Sequence, residues 1–269
     1  MDGIQSLHDR IDELHQLVAQ RLAAEGVQAG DWLHDVGTAA EHGLPARPAW
    51  RRRTQGELRY PASLTTGLAI GLQTAIPDRL VLVTPSWVLP AAQGALLLVL
   101  ISANPRRINR RSRITRMVSL ALGGLLMLAS GWAVGRLAVS ITQGHLGENG
   151  GQLLITGAVI WLNNVIVFAL WYWELDRGGP VARALNLGNP YPDFQFVQMV
   201  SPPAMVSPDW EPAFLDYLYL AFTNAAAFSP TDVLPMSRWA KLAMTAQAVI
   251  SIVTVALVVS RAVNVLPSG

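Results

Sequence analysis

Residues 153–173 read LLITGAVIWLNNVIVFALWYW, twenty-one side chains without a charge. As a helix they rise about 32 Å at 1.5 Å per residue, enough to cross a bilayer core of about 30 Å. A helix that is apolar all round must be buried on every side or face lipid. Trp171-Tyr172-Trp173 close the run, and Glu174, Asp176 and Arg177 follow at once. Aromatic rings at a charged boundary mark a membrane–water interface. This stretch therefore sets the expected fold class, an all-α polytopic transmembrane bundle.

Working toward the N-terminus, residues 117–139 form another apolar run of spanning length, and 144–151 is a short polar connection. Residues 104–116, NPRRINRRSRITR, hold six arginines and no acid. Short arginine-rich loops stay on the cytoplasmic side, so this loop and residues 174–177 are expected there. Residues 86–103 (SWVLPAAQGALLLVLISA) form a span with Trp87 at its end, and 63–76 (SLTTGLAIGLQTAI) a shorter one within 61–77. Gly67-x-x-x-Gly71 and Gly131-x-x-x-Gly135 would allow close helix approach.

Working toward the C-terminus, 178–212 carries seven prolines, which forbid a continuous helix. Its Tyr191, Phe194, Phe196 and Trp210 point to a segment lying on the membrane or packed on the bundle. Residues 213–228 (AFLDYLYLAFTNAAAF) are helical in character but rise only about 24 Å. Ser229-Pro230-Thr231-Asp232 breaks the chain, and Ser237 can cap a last span over 237–262. The count is five or six membrane segments, with 213–228 either a short sixth span or a re-entrant half-span.

Residues 1–60 are polar and form an N-terminal region expected in the cytoplasm, with no cleaved leader, so that the first span acts as the insertion signal. Ile4, Leu7, Ile11, Leu14 and Val18 alternate steps of three and four, an a/d seam that stops at Arg21. It suits an amphipathic helix packed on its own protein or on lipid, or a short seam between two copies. A second short helix fits Asp31–His42, before a linker at Pro45–Pro48.

The chain is 51% apolar and 14% charged, against about 25% charged in soluble domains. It has no cysteine, which excludes disulfides, thiolate metal sites and a catalytic thiol. Five histidines lie outside the spans without metal-ligand spacing, and there is no phosphate loop or nucleophile elbow. No enzyme activity, no cofactor and no nucleic-acid partner are expected. The expected partners are the lipid bilayer and a second copy of the chain.

Residues 217–235, YLYLAFTNAAAFSPTDVLP, followed by Arg238-Trp239-Ala240-Lys241-Leu242, resemble the pore-helix, filter and inner-helix module of potassium channels. The resemblance covers roughly a fifth of the chain. Asp232 and Pro235 sit like that module's Asp-x-x-Pro. Where the module has filter glycines, this chain has Ala227-Phe228-Ser229-Pro230-Thr231, whose side chains resist the backbone angles that aim successive carbonyls at an ion. A potassium-selective filter is not expected. As a whole the chain resembles a class of bacterial polytopic membrane proteins with the same ending, a class to which no activity is assigned.

The candidate polar path or re-entrant site comprises Asn163, Asn164, Asn224, Ser229, Thr231, Asp232, Gln247, Ser251 and Thr254. Gln247, Ser251 and Thr254 share one helix face at i, i+4 and i+7. Such residues either bond helix to helix or line a path. The functional expectation is a channel-like or transport protein of the bacterial cytoplasmic membrane. The alternative is a structural or partner-binding membrane protein without transport.

Overall fold

The computed structural model describes residues 48–108, 112–143, 150–226 and 232–265. The amphipathic helix expected near the N-terminus, Ser229 and Thr231 lie outside the described residues. Seven α-helices occur among those described: α1 Tyr60–Thr74, α2 Val88–Ala103, α3 Arg113–Thr142, α4 Gly150–Leu175, α5 Pro180–Ala184, α6 Phe214–Ala226 and α7 Arg238–Val265. Two two-residue strands, β1 (Phe194–Gln195) and β2 (Leu234–Pro235), pair antiparallel. Three helical stretches, Arg113–Ile141, Gly151–Gly178 and Arg238–Ser260, are long and apolar enough to cross a membrane. α2 is a shorter apolar helix.

Local chemistry sets the helix ends. Pro61 stands in the first turn of α1, where a missing N–H costs nothing. The Ser112 hydroxyl caps α3 by accepting from Thr115 N at 3.5 Å. At α6 the Asp216 carboxylate reaches back to accept from Ala213 N at 2.8 Å.

Helices α1, α2, α3 and α4 close a ring in which each packs on its sequence neighbours and α1 meets α4. The far side of α4 takes α6 and α7. α4 is thus shared by two layers, which is why Val165, Ile166, Val167 and Ala169 are all buried. At Gly157 a Cβ would lie 2.6 Å from Val258 Cγ2, so the α4–α7 approach requires glycine there. Gly67, Gly71, Gly131 and Gly135 have nothing within 4 Å of a Cβ position, so these spaced glycines make no close helix contact.

The ends of the ring are registered by the segments flanking them. Leu58 pairs with Arg107, and Arg59 N donates to Arg106 O at 3.1 Å, placing the start of α1 beside the end of α2. Ser119 Oγ donates to Glu174 at 2.8 Å, placing the start of α3 beside the end of α4. One end of the ring therefore gathers Arg59, Asn104, Arg106, Arg116 and Glu174, and is called the charged end below.

α6 and α7 both begin at that end. Phe214 N donates to Glu57 at 2.7 Å, and Trp239 Nε1 to Asp193 at 2.8 Å. Gln247 Nε2 donates to Ala221 O and Ser251 Oγ to Ala225 O, a constant offset that only parallel helices can keep. The two helices therefore run parallel. Ala225, near the end of α6, lies at the level of Ser251, and Leu234 pairs with β1 at the charged end.

One sequence expectation changes on packing, and one pair of alternatives is decided. Trp171, Tyr172 and Trp173 do not form an outward belt: Tyr172 and Trp173 are buried, and Trp171 Nε1 donates to Gly123 O. The proline-rich segment packs inward, with Phe194 and Phe196 in the core beside Tyr172 and Tyr217. Trp87 is exposed, as an interfacial ring would be.

Candidate functional site

Two kinds of polar cluster occur in the bundle, and they differ in whether their hydrogen bonds are made. The first is the anchor at the charged end. Gly178 and Gly179 take positive φ, and Arg177 joins them at φ 52, a conformation unfavourable for a residue with a Cβ. Arg177 is held there by its own bonds: its N–H donates to Asp193 at 3.0 Å, and its guanidinium to Trp50 O and Asn189 O. Asp176, fully buried, accepts from Tyr217 OH at 2.5 Å and from Asp193 N at 2.9 Å. Arg183 donates to Trp173 O and Asp176 O, lies over the Tyr217 ring, and sits 3.5 Å from Glu57. Burial lowers the Arg183 pKa, but Tyr217, Asp176, Glu57 and Glu174 more than offset it, so the net shift is upward and the charge is retained. Burial raises the Glu57 carboxyl, against the opposing pull of Arg183 and the bonds from Trp173 and Phe214. This cluster ties the 50–59 segment, α4, α5 and α6 together, and α7 through Asp193. In the sequence Glu174–Arg177 reads only as a membrane boundary; the Arg177-Gly178-Gly179-Pro180 run is the signal of a tight turn that had to be built there.

The residues expected to form a polar path divide. Gln247 accepts from Tyr172 OH at 2.7 Å and from Asn224 at 2.8 Å, besides its bond to Ala221 O. Asn224 also donates to Met244 O. Ser251 accepts from Trp161 Nε1 at 2.6 Å, and Thr254 bonds back to Ile250 O. These four lie between α4, α6 and α7 with their partners supplied. Asp232 is exposed at the charged end, away from Gln247 and Ser251. Asn163 and Asn164 belong elsewhere: Asn163 crosses to α3, donating to Ser130 Oγ at 2.6 Å.

The second cluster is inside the α1–α4 ring. A cavity of about 520 Å³ opens at the charged end, within the ~300–1,000 Å³ range of small-molecule sites. Arg59, Arg116, Arg177 and Glu174 surround its mouth with Asn104 and Ser119, and Leu97, Leu122, Leu126 and Thr66 line its depth. Ser112 to Leu126 of its wall corresponds to roughly 21 Å along α3 at 1.5 Å per residue. Asn104 is 2% exposed, and neither atom of its amide has a hydrogen-bond partner among the described residues. Arg59 Nε is likewise buried without a partner. Burial pushes the Arg59 pKa down, with Glu174 opposing.

One to two turns beyond the cavity floor, all four helices place a buried polar side chain within about one turn of the same depth. Gln73 lies fourteen residues beyond Arg59, and Gln93 eleven before Asn104; Ser130 lies eleven beyond Ser119, and Asn163 eleven before Glu174. That is roughly 17–21 Å from the charged end at 1.5 Å per residue. Gln93 is fully buried with both amide atoms unpartnered, and Gln73 Nε2 and Asn163 Oδ1 are unpartnered too. The adjacent Asn164 Nδ2 is in the same condition. On the opposite side of this layer, Gln73, Ile76, Pro90, Ala129 and Ala133 line a second cleft of about 20 Å³, room for about one water. The order along the ring axis is therefore cavity, polar layer, small cleft.

Of nine buried side-chain polar atoms without partners among the described residues, eight belong to Arg59, Gln73, Gln93, Asn104, Asn163 and Asn164; the ninth, Arg183 Nη2, faces Glu57. Unpaired buried groups cost about 1–3 kcal/mol each, so such a concentration marks a place whose partners are not supplied by the fold. Sequence reasoning missed Gln73, Gln93 and Asn104, although a glutamine inside each of two apolar runs was the available signal. No group of three or more potential metal-ligating side chains occurs among the described residues. No protein-family model, curated protein or solved structure matches the chain. The assignment of the site therefore rests on its geometry.

Proposed function

We propose that this chain is an integral membrane protein of the channel or transporter class, with its path inside the α1–α4 ring. Five helices, α1 to α4 and α7, cross the bilayer, and α6 re-enters from the side on which it began. The arginine-rich charged end faces the cytoplasm, following the bias of short basic loops. The observation that carries the reading is the stack of cavity, unpaired polar layer and second cleft along one axis. Polar groups in a membrane interior are expensive, and they face a bundle interior or a water-filled path. The parallel packing of α6 on α7 supports a re-entrant, channel-like segment at the C-terminal end, where irregular backbone is tolerated only against protein or a cavity.

The absence of cysteine makes the test direct. Single cysteines are placed at Thr66 and Leu126 in the cavity, at Ala133 on the far cleft, and at Leu242 on the exposed apolar surface of α7. Polar thiol reagents are then applied from each side of the membrane. Thr66 and Leu126 positions should react from the cytoplasmic side, Ala133 from the other, and Leu242 from neither. Protection of the Thr66 and Leu126 positions from both sides would remove the path. Cysteines at Asp209 and Asp232 should label from one and the same side; labelling from opposite sides would make α6 a full crossing.

The alternative, a structural or partner-binding protein, is favoured by one feature. Leu215, Tyr219 and Phe222 form an exposed apolar face on α6, and Val249 and Ile252 of α7 are exposed as well. Stoichiometric co-purification of a partner through that face, together with unreactive cavity cysteines, would select it.

A further inference from the structure

We infer that the cavity at the charged end binds an amphiphile with an anionic head, its head at Arg59 and Asn104 and its apolar part against Leu97, Leu122 and Leu126. This deepens the reading of the α1–α4 interior by naming what its larger cavity takes, and it rests on that reading only for the cavity's place in the membrane.

Three observations converge. The first is charge: three arginines face one glutamate at the mouth. Arg116 is already engaged with Glu174, at 3.4 Å, and with the Gly178 carbonyl. The Arg177 guanidinium is engaged with Trp50 O and Asn189 O. Arg59 shares the field of Glu174 with Arg116, but its buried Nε has no hydrogen-bond partner among the described residues, so it is the arginine with a donor left for a ligand. The second is the Asn104 amide, 98% buried and unpartnered at both atoms, on the cavity wall. An amide beside a guanidinium presents several N–H donors to one oxyanion, and charge-assisted bonds of this kind are the strong ones. The third is the gradient along the cavity. Below the mouth its wall is mostly leucine, and the Thr66 hydroxyl there already donates to Ala62 O, so the depth offers little to a small hydrated anion and suits an acyl chain. Basic pockets between membrane helices on the cytoplasmic side are the geometry that holds lipid headgroups.

The test uses the full chain purified in a nonionic detergent. It is titrated with a short-chain phosphatidylglycerol, with the phosphatidylcholine of the same chains, and with inorganic phosphate, while the midpoint of thermal unfolding is followed. A ligand that binds the folded state raises that midpoint as its concentration passes the dissociation constant. Phosphatidylglycerol should give a saturable rise, phosphatidylcholine should need at least about tenfold more, and inorganic phosphate should give none; tenfold corresponds to about 1.4 kcal/mol. Asn104→Leu removes an amide that bonds to nothing, so the ligand-free midpoint should stay level or rise while phosphatidylglycerol affinity falls at least about tenfold. Asn104→Ala should lose affinity likewise, and makes the same test should the larger side chain disturb packing. Arg59→Gln should abolish the preference for phosphatidylglycerol over phosphatidylcholine. Equal response to the two lipids overturns the inference, as does a phosphatidylglycerol response that survives both Asn104 variants. A rise with inorganic phosphate alone overturns the amphiphile in favour of a free anion. Binding is read without flux, so the cysteine-accessibility test can fail while this one succeeds, and the reverse.

Discussion

The two faces of α4 treat their polar groups in opposite ways. Toward α6 and α7, Tyr172 and Asn224 both bond to Gln247, and one turn on Ser251 bonds to Ala225 O and Trp161. Toward α1, α2 and α3, Gln73, Gln93, Asn163 and Asn104 leave amide atoms unmade. Both sets are amide-rich in sequence. What separates them is whether a partner stands opposite. A bonded set fixes helices in register; an unbonded set carries a cost that a fold alone gives no reason to keep. On the proposed reading, the difference makes the α4–α6–α7 side the scaffold and the ring the functional part.

The comparison can be broken most forcefully at the anchor, where the scaffold side is tied down. Arg183→Met leaves Glu57 buried without its cation and removes two bonds to the end of α4. Breaking one partner of a buried pair costs about 3–5 kcal/mol, so folded yield in detergent should collapse. Near-normal yield would show that the anchor does not hold α4, α5 and α6 together. A smaller effect is expected at the α4–α7 contact. Gly157→Ala places a methyl against Val258, and overpacking of this kind costs about 1–3 kcal/mol. Adding Val258→Ala should recover most of the loss in a double-mutant cycle read by thermal unfolding. Additive losses would mean that the helices do not meet there.

The helical class was legible because charge-free runs as long as 153–173 and 242–260 satisfy their backbone in lipid only as helices. The boundary at 174–177 was legible as a boundary only. That Asp176 and Arg177 turn inward depends on Tyr217, Asp193 and Trp50, which are distant in sequence and converge only in the fold. The direction of α6 stays open in the sequence because a run of apolar residues shorter than the bilayer suits a tilted span and a re-entrant helix equally. The offset shared by Ala221–Gln247 and Ala225–Ser251 decides its direction, and no periodicity within 213–228 contains that information. Among the candidate site residues, the pattern Gln247, Ser251, Thr254 was visible as a face, but whether a face is bonded or open depends on the helix opposite. Asn163 and Asn164 were visible as isolated polar residues. Gln73 and Gln93 gave the same kind of signal, one polar residue in an apolar run, but that signal does not say whether the helices opposite supply partners.

The most direct measurement sets one glutamine from each side of α4 against the other. Gln247→Leu strands Tyr172 OH, the Asn224 amide and Ala221 O, and should lower the thermal midpoint by an amount equivalent to about 1–3 kcal/mol. Gln93→Leu removes an amide that bonds to no described residue, and replacement by an apolar group of similar size should leave the midpoint unchanged or raise it. The same Gln93→Leu protein should show lowered thiol reactivity at Leu126→Cys, because the polar layer that hydrates the ring would be lost. If instead Gln93→Leu destabilises as much as Gln247→Leu, the two sides of α4 are alike, and the assignment of function to the α1–α4 ring is wrong.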